Sequence, residues 1–162
     1  MIQRMQSVYL FLVFVVFVLM AFFPIAQELA MESPNQNQYS LYVYKFYYAL
    51  KGSGIPPVTN FVITLPMLVV SCIIALMAII TIFLYKRRLA QMNMVKTMVF
   101  LNILLVVGIF FWYSDIIEKR TELLPSYDIG AYLPLISLVF LILAFRGIRK
   151  DERMVRAADR LR

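Results

Sequence analysis

Four long apolar runs, separated by polar stretches of very unequal length, organise the chain. The first, SVYLFLVFVVFVLMAFFPIA, covers 7–26, and the others cover about 60–85, 95–113 and 129–147. Each approaches or exceeds the roughly 20 residues that a helix needs to cross about 30 Å of hydrocarbon. The pattern predicts an all-α integral membrane protein, a bundle of four transmembrane helices in a single domain spanning 1–162. Its outer loops are then 27–59 and 114–128, and its polar tail is 148–162. The first run exceeds the apolar core of a secretory signal peptide, and Pro24 would sit badly for cleavage after Ala26, so it reads as a retained span.

The polar stretches carry patterns of their own. In the first loop, QYSLYVYKFYYAL is dense in tyrosine, valine and phenylalanine. As a strand it would place Tyr39, Leu41, Val43 and Lys45 on one face, with Ser40, Tyr42, Tyr44 and Phe46 on the other. KGSGIPPVTN follows as a turn-rich return. A short β-hairpin or ribbon over the helix ends is one reading. The other is an aromatic belt, in which tyrosines settle at headgroup depth. In the tail, Arg149, Arg153, Arg156 and Arg160 recur at i, i+4, i+7 and i+11, which predicts an amphipathic helix with an arginine ridge. Glu152 and Asp159 flank the ridge and can pair along it.

Composition changes the picture only by excluding classes. With 62% apolar and 15% charged residues, the chain is far from the soluble balance of roughly half and a quarter. The single cysteine, Cys72, and the absence of histidine remove an intrachain disulfide, the commonest metal ligand and the commonest general acid–base. Charge adds orientation. Of sixteen basic residues, twelve fall on the side holding both termini and four in the outer loops, while six of nine acids lie in the outer loops. Lys/Arg bias places both termini in the cytoplasm, so the net charge of +7 needs no DNA to explain it.

Candidate chemistry inside the spans is thin. No ionisable group lies within them away from the ends, which argues against a proton relay or ion path. Asn102 is the most polar intramembrane residue, and with Ser71 and Ser137 it is read as an interhelical polar contact. A polar cavity lined by these three is the alternative, that of a small carrier or lipid-handling protein. Pro66 and Pro134 fall in the first turns of their helices, so no mid-span break is indicated. No nucleotide, hydrolase or zinc-protease motif is present. Asp115, Glu118, Glu122 and Asp128 in the second outer loop lack the ligand spacing of a calcium site. The expectation is a non-enzyme with no cofactor and no metal.

The ends MIQRMQSVYL and IRKDERMVRAADRLR, with LNILL in the third span and YLPLISL opening the fourth, resemble a family of small four-span inner-membrane proteins of Bacteroidota, domain of unknown function 4293. The resemblance covers the whole chain apart from the first outer loop. It implies a Gram-negative inner membrane and four helices, and it carries over no catalytic residue. The functional expectation is an accessory or structural subunit of a larger envelope or protein-translocation complex. Arg149, Arg153, Arg156 and Arg160 would grip a partner groove, with membrane lipids as a second attraction and RNA or ribosome contact as a weaker third.

Overall fold

The computed structural model describes residues 3–28, 38–49, 58–121 and 124–159. Helix α1 (Gln3–Phe22) ends just ahead of Pro24, whose missing N–H cannot continue it. Helix α2 (Leu65–Phe83) opens with Pro66 in its first turn, where no intrahelical N–H bond is lost. After a 3₁₀ turn at Leu84–Lys86, α3 (Arg88–Val107) runs through a π-helical turn at Gly108–Tyr113 into α4 (Ser114–Thr121). The last helix, α5 (Ile129–Asp159), is one 31-residue element carrying both the fourth apolar run and the start of the tail. Four helical stretches, Met5–Phe22, Leu65–Phe83, Arg88–Arg120 and Ile129–Val155, are long and apolar enough to cross a membrane.

These helices form a closed ring of neighbours: α1 packs on α2 and α5, and α3 packs on α2 and α5. The seam is apolar, with Leu10, Val13, Met20, Ile74, Ala78, Val95, Met98, Leu141 and Ala144 buried in one continuous core. Large apolar side chains such as Phe11, Leu76, Phe100 and Val139 point outward. Helices apolar on every side suit a hydrocarbon surround. At one end of the bundle, Gln6 on α1 donates to the Asp151 carboxylate on α5, and Arg88 on α3 reaches the Asp151 carbonyl oxygen. The first turns of α1, the second half of α5 and the α2–α3 turn therefore share that end.

The opposite end carries a four-stranded antiparallel meander: β1 (Ala26–Glu28), β2 (Gln38–Leu41), β3 (Phe46–Ala49) and β4 (Val58–Asn60), in that spatial order. The first loop is thus more ordered than a ribbon, and it recruits residues at the margins of the first two apolar runs. Ala26 pairs with Leu41, and Asn60 with Phe46, so α1 stops at Phe22 and α2 starts only at Leu65. The alternation expected across Tyr39–Phe46 is also corrected. A tight turn, with the Tyr42 N–H bonded to the Lys45 carbonyl at 2.8 Å, reverses the chain and sets Leu41 opposite Phe46. Residues directly opposite share a face, so Phe46 joins Tyr39, Leu41 and Val43 in the core. The third run likewise exceeds 95–113, because α3 begins at Arg88 and the rod continues to Thr121.

Candidate functional site

Two neighbouring contacts hold the sheet end of the bundle together. The segment 126–128 lies along β1: the Gln27 N–H bonds the Ser126 carbonyl at 3.0 Å, and the Asp128 N–H bonds the Ile25 carbonyl at 2.9 Å. The Asp128 carboxylate accepts from the Ile129 N–H at 2.6 Å and from the Gln27 side chain, an acid placed where the unpaired N–H groups of a helix start favour it. The buried Tyr39 hydroxyl accepts from the Ser126 N–H at 2.6 Å and donates to the Leu124 carbonyl at 3.2 Å. Burial raises the Tyr39 pKa above its ordinary value, and the Ser126 hydrogen bond offsets this in part. The outer acids do not converge. Asp115 pairs with Lys119 one turn on, at 2.7 Å and exposed, while Asp128 is occupied at the start of α5. Glu122 lies outside the described residues.

At mid-span, Asn102 is fully buried. Its amide donates to the Ser137 hydroxyl at 2.6 Å and to the Pro134 carbonyl at 3.2 Å, and Ser137 donates to the same carbonyl at 2.8 Å. The structure therefore brings Asn102 and Ser137 together across α3 and α5. Ser71 is placed otherwise: its hydroxyl donates to the Met67 carbonyl on its own helix at 2.7 Å. Thr81 does the same to Met77 at 2.6 Å. A lateral groove of about 220 Å³ lies between α2 and the α3–π-turn segment, lined by Met67, Val70, Leu105, Gly108 and Trp112 among others. None of the three predicted polar residues lines it.

The end of the bundle away from the sheet holds a cluster that sequence reasoning missed. Asp151 is only 7% exposed and receives the Gln6 amide, while its second carboxylate oxygen is buried without a partner among the described residues. Gln6, Tyr85, Arg88, Gln91 and Asp151 surround a void of about 10 Å³, close to the space of one water. Gly147 makes this approach feasible, because a Cβ there would lie 2.9 Å from the Gln6 side chain. Asp151 resembled the other charges of the tail in sequence. Its one distinguishing signal was a position three and seven residues beyond Ile148 and Ala144, on the arc facing the bundle.

The predicted arginine ridge is divided. Arg149 and Arg153 are exposed on α5, Arg156 lies in the same helix, and Arg160 lies outside the described residues. Arg149 and Arg153 share a shallow groove of about 420 Å³ with Arg146, Lys150, Met154 and Ala157.

A ring of four long apolar helices capped by a small sheet is the build of a multi-pass membrane protein. Within that class, the chain belongs to the family described as domain of unknown function DUF4293, whose model matches residues 2–161. No curated protein matches the chain.

Proposed function

We propose that this protein is a non-enzymatic accessory or structural subunit of a larger envelope complex, seated in a bacterial inner membrane with both termini in the cytoplasm. The observation that carries the reading is a polar interior turned mostly onto itself, in which Asn102 Oδ1 is the one mid-span side-chain acceptor buried without a partner among the described residues. Asn102 and Ser137 bond to each other and to the Pro134 carbonyl, and Ser71 and Thr81 bond to their own helices. The two Asn102 bonds across α3 and α5 stabilise helix packing in a membrane by about 0.6–2 kcal/mol each, and the bonds within single helices leave few polar groups to meet a solute. A carrier reading requires Asn102, Ser71 and Ser137 to share a cavity, and their partners speak against it. What remains available is at the ends: the outer sheet, with Tyr47 and Thr59 on the face away from Tyr39 and Phe46, and the projecting end of α5.

The orientation rests on the distribution of lysine and arginine, twelve of sixteen of which lie at the end holding both termini. Purification in a mild detergent after crosslinking in native membranes should recover a partner in fixed ratio. A monodisperse single chain, with no partner repeated between preparations, would overturn the subunit reading.

A further inference from the structure

The end of α5 presents a basic face whose placement identifies its ligand. Arg146, Arg149, Lys150 and Arg153 are all exposed and fall within an arc of about 100° at 100° per residue. The buried side of the same helix, Ser137, Leu141, Ala144, Ile148 and Asp151, is centred about 170° away. The cations therefore point directly away from the bundle. None of the four has an ion-pair partner among the described residues. The two acids closest in sequence are turned elsewhere: Asp151 inward against Gln6, and Glu152 into the separate recess beside Tyr85 and Arg88.

Directly above this face, toward the membrane, the same arc carries Leu135, Val139 and Ile142, all exposed and apolar. Ile142 lies just over one helical turn from Arg146, about 6 Å along the axis. One continuous stripe thus changes from aliphatic to cationic where the fourth apolar run ends. That sequence of chemistry mirrors a phospholipid, with acyl chain above and phosphate below.

We propose that Arg146, Arg149, Lys150 and Arg153 form a binding site for the phosphodiester headgroup of an anionic phospholipid, whose acyl chain lies along Leu135, Val139 and Ile142. Four cations lined up over about two helical turns can hold two phosphate groups, while Met154 and Ala157 close the groove on the aqueous side. The arginine forks can each bond a phosphate oxygen pair, and Lys150 adds a point charge. A protein groove reading arginine spacing would be served by acids interleaved along the face, and this face has none. The site requires no protein partner, so it stands or falls separately from the subunit reading.

The test is native mass spectrometry of the purified full chain titrated with phosphatidylglycerol or phosphatidylcholine. The unmodified protein should retain phosphatidylglycerol preferentially, and the preference should fade as salt is raised. At about 1 kcal/mol per basic residue near the surface, Arg146→Gln with Lys150→Gln should reduce the preference roughly 30-fold. Lysine in place of Arg146, Arg149 and Arg153 should keep most of it. Lys119→Gln with Arg120→Gln, at the other end, should leave it unchanged. An undiminished preference in the variant with all four residues changed to glutamine would sink the proposal. So would an equal loss from the Lys119/Arg120 control, or a preference insensitive to salt in the unmodified protein. A photoreactive residue at position 149 that crosslinks protein instead of lipid in native membranes would overturn it in favour of a docked partner.

Discussion

Tyr39 shows how much one hydroxyl can hold. Its ring fills the core beneath the sheet, and its oxygen both receives the Ser126 N–H and donates to the Leu124 carbonyl, so one side chain pins 124–126 against β2. Replacing it with phenylalanine keeps the ring and leaves the Ser126 N–H without its acceptor. The expected loss is about 1–3 kcal/mol of stability, read as a lower unfolding midpoint in detergent. The raised pKa gives this contribution a pH dependence. A group held neutral by burial contributes fully below pH ~10, where an unfolded tyrosine titrates, and its contribution is lost as pH rises through the higher folded value. An ultraviolet titration should place Tyr39 among the late-ionising tyrosines, and Tyr39→Phe should shrink the late step by one tyrosine and remove part of the alkaline destabilisation.

At the scale of elements, the joints decide more than the rods. Where α1 hands over to β1 and the outer segment enters α5, the Gly130 N–H bonds the Pro24 carbonyl at 2.9 Å. A Cβ on Gly130 would fall on that carbonyl group, well inside van der Waals contact with backbone atoms that cannot rotate away. Gly130→Ala is therefore expected to cost about 1–3 kcal/mol by overpacking and to separate the outer ends of α1 and α5. Gly108, at the start of the π turn, is the internal comparison. A Cβ there meets nothing within 4 Å, so Gly108→Ala should be neutral or stabilising by up to about 1 kcal/mol. Thermal unfolding of the two variants in the same detergent tests the contrast, and equal losses would contradict it.

The whole molecule separates a rigid interior from two dissimilar ends. At one end, Asp151, Gln6 and Arg88 tie three helices, and at the sheet end the meander and the 126–128 segment tie the remaining connections. The orientation proposed from charge makes the sheet external. With Cys72 replaced by serine, Tyr44→Cys at the hairpin turn should react with a membrane-impermeant maleimide in intact spheroplasts. Arg153→Cys should react only after the membrane is opened. The reverse labelling pattern would invert the molecule and place the basic face of α5 outside.

The number of spans, their helical state and the bias of charge between the two ends were legible in the sequence. The early Pro66 was legible too, whereas Pro134, read as a first-turn proline, lies inside α5. Each is a local property: a segment enters hydrocarbon because of its own composition, and a proline acts on its own turn. The sheet was half legible. Its aromatic alternation was visible, but β1 and β4 lie within or beside apolar runs that read as helix, and strand membership is conferred by a partner distant in sequence, as Leu41 confers it on Ala26. Asn102 announced itself by polarity, whereas its pairing with Ser137 depended on how α3 meets α5. Asp151 and the cations around it looked alike along the chain. Only the packing of α5 against α1 and α3 turned the acid inward and the four cations out, because burial is set by which side of a helix finds a neighbour.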